Sequence, residues 1–118
     1  MAKIAIVIFS DTNTVEALGK VSNAFILANE AIEARDELKI IFEGAGTKWV
    51  GELEKDDHKL HGLYKRIKLN ITGACKFCAQ VFGVVNEVEK AGVTLIDEYK
   101  SHPTLRSLVA EGFQLVIF

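Results

Sequence analysis

The chain has 118 residues, 49 % of them hydrophobic and 25 % charged, with a formal net charge of −2. That length makes one domain, residues 1–118, which buries roughly two-thirds of its unfolded surface and needs no disulfide staples. The weakly acidic balance and the lack of any basic run exclude a direct nucleic-acid or anionic-membrane footprint. No apolar stretch nears the roughly 20 residues that span a bilayer.

Residues 4–9 form a continuous apolar run, as in a strand buried on both faces. The opening MAKIAIVIFSDTNT reads as this first strand rather than a secretory leader, whose apolar region would be longer. Asn13 and Glu16 form a capping pair at the start of a helix. Val15, Leu18, Val21, Phe25, Ala28 and Ile32 then recur at steps of three and four and mark its buried face. A second apolar run covers 38–42 and is broken by Glu43-Gly44-Ala45-Gly46. Thr47 caps a short helical turn carrying Trp49, Val50 and Leu53.

Asp56 and Asp57 open the next helix, with Leu60, Leu63, Tyr64 and Ile67 on its apolar side. Residues 69–72 alternate as a third strand that ends at Gly73-Ala74. The segment GACKFCAQVFG follows and turns helical, with Gly83 closing its first part. Val84, Val85 and Val88 continue to Ala91-Gly92. A fourth strand covers 93–96. Pro103 suits the first turn of a helix bearing Leu105, Leu108 and Val109. Gly112 stops that helix before a fifth strand, 115–118. This alternation predicts an α/β fold: a three-layer α/β/α sandwich around a mostly parallel five-stranded sheet. In such sheets function gathers at the carboxyl ends of the strands.

Both cysteines of the chain, Cys75 and Cys78, fall just past the third strand. A cysteine that opens a helix meets free N–H groups and the positive end of the helix dipole. Such placement lowers a thiol pKa from about 8.5 into the range of roughly 3.5–7.5. An accessible thiolate at Cys75 follows, with Lys76 as a source of added positive charge. Cys78, one turn later, either approaches Cys75 or turns into the core.

Four readings compete for this pair. The two thiols can be small buried hydrophobes. They can be a thioredoxin-like redox pair, but that fold places a cis-proline before a strand, and Pro103 precedes a helix-forming LRSLVAEG. They can join His58 and His61 as zinc ligands, although an HxxH spacing is shorter than the usual three to five intervening residues. They can handle sulfur, with Cys75 as a nucleophile carrying a persulfide. The GAG of Gly44–Gly46 is too short for a dinucleotide fingerprint and reads as a turn.

The sequence resembles the DsrE/DsrF-like family of small sulfur-relay proteins. The resemblance runs over nearly the whole chain: KIAIVIF, the long first helix, IIFEGAG, and above all ACKFCAQVFGV. There Cys75 and Gly83 match the family's strand–Cys–helix–Gly element. VTLIDEY, a helix and a short final strand complete it. The resemblance implies an α/β/α sandwich assembled as a homotrimer or homohexamer, or with sister subunits. It implies a cytoplasmic sulfur-relay role, with Cys75 as persulfide acceptor and Cys78 as its helper or resolving thiol. Sulfur donor and acceptor proteins are the implied partners, and neither a cofactor nor a metal ion is implied. Cys78 stands where better understood carriers have a small apolar residue. The alternatives are a non-catalytic oligomeric scaffold of the same fold and a thiol-redox or metal-binding module built on Cys75 and Cys78.

Other residues reach the same edge. His102 follows the fourth strand and either serves the thiol or caps the last helix, and capping is the simpler role. Asp11, Thr12 and Asn13 follow the first strand and are accounted for by capping. Trp49 either lines a pocket or is buried at a subunit contact.

Overall fold

Each apolar run becomes a strand in the computed structural model, which describes residues 1–118. The strands are β1 (Lys3–Ile8), β2 (Glu37–Phe42), β3 (Ile71–Cys75), β4 (Leu95–Ile96) and β5 (Gln114–Ile117). All pairings are parallel, and the spatial order is β4-β3-β2-β1-β5. The helices are α1 (Val15–Glu33), α2 (Trp49–Leu53), α3 (His61–Ile67), α4 (Lys76–Val81), α5 (Val85–Lys90) and α6 (Leu105–Ala110).

The strand order explains the layers. Steps from β1 to β2, β3 and β4 all move in one direction across the sheet. Right-handed crossovers therefore place the intervening helices on one face, and the return from β4 to β5 places α6 on the other. Side-chain alternation agrees. Ile6, Ile8, Ile40, Phe42 and Ala74 pack with Val21, Phe25, Trp49, Tyr64 and Val88 in the larger core. Ala5, Ile41 and Ile96 point the opposite way, against Leu108 and Phe113. The sandwich is thus lopsided, with a single six-residue helix on its second face.

Several local boundaries depart from the sequence reading. Thr14, not Asn13, caps α1, accepting the Ala17 N–H at 3.0 Å. The buried face of α1 runs through Ala17, Val21, Ala24, Phe25, Ala28 and Ala31, while Val15 is exposed. Alanines face the sheet there because a long helix lies closest where side chains are shortest. Asp56 and Asp57 lie in turns, and α3 starts only at His61. Residues 68–70 form a 3-10 turn with Leu69 exposed, so β3 starts at Ile71 and extends to Cys75 itself. Thr47 does not cap: its hydroxyl donates back to the Gly44 carbonyl at 2.8 Å. Thr104 caps α6, leaving Pro103 just outside it.

Two glycines are required by close approach. A Cβ on Gly46 would sit 2.0 Å from the Ile8 carbonyl oxygen, and one on Gly73 would sit 2.5 Å from the Thr94 carbonyl oxygen. The first lets the segment after β2 fold over the end of β1. The second lets β3 and the approach to β4 lie close, with the Ala74 N–H bonded to that same Thr94 oxygen at 2.8 Å.

Buried Tyr64 donates its hydroxyl to Glu54 at 2.5 Å, and the Glu54 carboxylate also pairs with Lys68 at 2.8 Å. Burial first, then the Glu54 hydrogen bond and charge, push the phenol well above its ordinary value of 10.0. The folded protein therefore holds this proton where the unfolded chain releases it. Stability should fall as pH rises above 10, by up to about 1.4 kcal/mol per unit from this group, and Tyr64→Phe should remove that slope in urea denaturation. Gly46→Ala should destabilise by about 3 kcal/mol, read as a lower urea midpoint at unchanged slope, because backbone rather than a flexible side chain blocks the added carbon.

Candidate functional site

Parallel pairing brings the carboxyl ends of β2, β3 and β4 to one edge of the sheet. Glu43 immediately follows β2. Cys75 is the last residue of β3 and also the N-cap of α4, and Cys78 sits in the first turn of that helix. His102 stands in the turn after β4. Donor atoms of these four side chains, one from each, all lie within 4.8 Å of one another.

The contacts are specific. Cys75 Sγ accepts the Cys78 backbone N–H at 3.4 Å, so the sulfur does the work that an oxygen performs in most caps. It lies 3.1 Å from His102 Nδ1, and with the ring protonated on Nε2 that nitrogen accepts the S–H. The Ser101 carbonyl is 3.8 Å away. Cys78 Sγ donates to Glu43 Oε1 at 3.5 Å.

His102 is held by its backbone. A tight turn returns its carbonyl to the N–H groups of Glu98 and Tyr99, at 2.9 and 2.8 Å. Lys100 and Ser101 take left-handed conformations to make it, with φ of 48° and 66°. For non-glycine residues such conformations cost on the order of 1–3 kcal/mol each and persist where surrounding contacts impose them. The Phe77 N–H bonds the Ser101 carbonyl at 2.9 Å and ties the turn to the start of α4. The Phe77 ring lies against the imidazole, centroid to centroid 4.9 Å. His102 therefore contacts the thiol, and the capping role expected for it belongs to Thr104.

The thiol itself departs from expectation. Cys75 is fully buried and Cys78 is the partly exposed one. Burial pushes the Cys75 thiol above its ordinary value. The Cys78 N–H opposes that, and the Cys78 side chain and the Glu43 carboxylate push further up. One helical amide does not offset desolvation beside a carboxylate. The resting side chain is thus a neutral thiol beside a proton acceptor, not the exposed thiolate predicted. Lys76 adds no charge there: its ammonium pairs with Asp97 at 3.3 Å, at the surface.

Other expected residues lie elsewhere. His58 and His61 do not meet the cysteines. His58 accepts the Leu60 N–H at 3.0 Å and packs on Trp49, and His61 Nδ1 contacts the Leu53 carbonyl at 2.7 Å. The four-ligand zinc arrangement using these two histidines is therefore wrong. Asp11 takes the Thr12 N–H at 2.6 Å and pairs with Lys48 at 2.7 Å; the Lys48 hydrogen bond first, then that of Thr12, holds its carboxyl below the usual value. Trp49 is buried, its indole N–H on the Ser10 carbonyl at 2.8 Å. A cleft of about 500 Å³ beside it, lined by Thr12, Asn13, Lys55 and His58 among others, contains none of the four site residues. In the sequence Glu43 stands out only as the residue that ends the second apolar run. Its position at the end of a strand adjoining the cysteine strand is the signal that would have found it.

No family model matches the chain. It is 28 % identical over 115 residues to an uncharacterized protein of Methanocaldococcus jannaschii, MJ0733, covering 97 % of this chain and 93 % of that one. It also superposes with a TM-score of 0.64 on the structure of a conserved protein of unknown function from Bacteroides thetaiotaomicron, BT1422. That match has 19 % identity and covers 97 % of this chain and 94 % of the other, so the two share a fold.

The burial order yields a direct check. Iodoacetamide under native, reducing conditions should label Cys78 well before Cys75, at least tenfold faster by peptide mass spectrometry, and denaturation should equalise the rates. Equal native rates would mean that the Cys75 sulfur is open to solvent.

Proposed function

We propose that the protein is a small cytoplasmic sulfur-relay protein that carries sulfur as a persulfide on Cys75. The observation that carries this reading is the Cys75 Sγ–His102 Nδ1 contact of 3.1 Å at the carboxyl edge of the sheet. The resemblance of ACKFCAQVFGV to the DsrE/DsrF-like carriers supports it. So does the helix-opening position of the sulfur, with an N–H already directed at it.

The chemistry needs no further group. His102 takes the proton of the Cys75 thiol. The resulting thiolate attacks the terminal sulfur of a donor persulfide, R–S–SH. The donor's S–S bond breaks, its electron pair leaves with the inner sulfur, and that thiolate recovers the proton from His102. The products are R–SH and Cys75–S–SH, with no net oxidation. An acceptor thiol removes the sulfur by the same exchange. Cys78 is the helper or resolving thiol. Its attack on the inner sulfur of Cys75–S–SH would release hydrosulfide and leave a Cys75–Cys78 disulfide for an external thiol to reduce.

Partners follow from the same reading: sulfur donor and acceptor proteins, and further copies of this chain in a homotrimer or homohexamer. Phe77, Val81 and Phe82, on and just after α4, are 46, 62 and 41 % exposed, and Phe77 packs on the His102 imidazole. The competing reading is a non-catalytic oligomeric scaffold with packed cysteines, and the complete burial of Cys75 favours it.

A persulfide donor should add sulfur to Cys75 in the wild type. Cys75→Ser should abolish that mass shift with the far-UV spectrum unchanged, and His102→Gln should slow it by roughly 10²-fold or more, as loss of a positioned proton acceptor does. Persulfide content unchanged in Cys75→Ser would rule the role out. Gel filtration should give three or six times the chain mass of 13.0 kDa, and elution as a monomer would remove the assembly.

A further inference from the structure

We infer that Glu43, Cys75, Cys78 and His102 form a tetrahedral site for a borderline-soft divalent cation, zinc above all. This occupancy is distinct from sulfur transfer, although it engages the same thiols. Two cysteines, a histidine and a carboxylate are a donor set that suits zinc, and thiolates select against magnesium and calcium. Cys75 and Cys78 have the C-x2-C spacing common in zinc sites.

The donor separations bracket those of a closed shell. Zinc–sulfur bonds of about 2.3 Å and zinc–nitrogen or zinc–oxygen bonds of about 2.0–2.2 Å at tetrahedral angles set donors roughly 3.3–3.8 Å apart. Here Cys75 Sγ and His102 Nδ1 are 3.1 Å apart, Cys78 Sγ and Glu43 Oε1 3.5 Å, and no pair exceeds 4.8 Å. Small side-chain rotations would suffice to close the set around one ion.

Glu43 supplies an independent indication. It is 6 % exposed, takes part in none of the salt bridges, and its side chain meets no cation, only the weak S–H donors of the two cysteines. A buried carboxylate without a cation is expensive to desolvate, and a bound dication removes that penalty. The surroundings are those of a ligand shell. The Cys78 N–H already points at one sulfur, and the Phe77 ring packs against the imidazole. On binding, each thiol releases its proton to solvent, and two thiolates and one carboxylate face the dication.

The full chain, purified under reducing conditions and stripped with chelator, should bind Zn²⁺ at close to one ion per chain by elemental analysis. Co²⁺ in its place should give a thiolate charge-transfer band and the visible d–d bands of a tetrahedral ion. Cys75→Ser and Cys78→Ser should each weaken that charge-transfer band, and Glu43→Gln and His102→Gln should each lower affinity at least the roughly 10- to 100-fold seen when outer-shell partners are lost. Bound Zn²⁺ should also protect wild-type Cys78 from iodoacetamide, with chelator restoring labelling, a measurement that needs no variant to fold. Absence of the charge-transfer band in the wild type, or Zn²⁺ affinity unchanged in the cysteine variants, would overturn the assignment. Persulfide mapping on chelator-treated protein reads the sulfur chemistry separately, so either proposal can fail while the other stands.

Discussion

The Cys75 sulfur sits where an extended strand becomes a helix, enclosed by an amide hydrogen, an imidazole nitrogen and a neighbouring thiol. Those contacts depend on three strand ends lying side by side. Parallel pairing puts the ends of β2, β3 and β4 at one edge, and the order β4-β3-β2 makes them neighbours. No connection has to reach across the sheet. A different strand order would separate Glu43 from Cys75 however similar the local sequence.

Burial and polarity compete at this point, and burial wins for the thiol. The end of a β-strand within a parallel sheet is drier than a typical helix start, because the flanking strands cover it. Cys75 inherits the dryness of β3 along with the amide of α4. The outcome is a protonated sulfur next to a group able to take the proton. Such a thiol resists adventitious oxidation and alkylation, because the thiolate forms only when the proton has somewhere to go.

Architecture was the more legible part of the sequence. Residues 4–9 are uniformly apolar because both faces of the sheet are covered there, and 38–42 are apolar but for Lys39, whose ammonium lies over the Phe113 ring. Gly83, Gly92 and Gly112 mark chain reversals, and all three adopt positive φ. Boundaries were harder where side-chain chemistry permits two answers. Thr14 and Asn13 are both good caps, and Asp56-Asp57 looks like a helix start although the chain keeps turning until His61. Of the site, the cysteines were visible because their spacing is local. Beside Pro103, His102 looks like a helix cap, and Glu43 looks like a residue that merely ends a strand. Their meeting is a product of strand order, which no local window contains.

The pairing of β4 with β3 involves only two residue pairs, Ala74 with Leu95 and Cys75 with Ile96. An edge held by so short a ladder peels more readily than the central strands, and the turn bearing His102 hangs from its end. Detaching that outer flap would unroof the enclosed sulfur without disturbing the pairing of β1, β2 and β5. The imidazole and the cover over the sulfur lie on that one short segment, so a change that loosened it would alter both together.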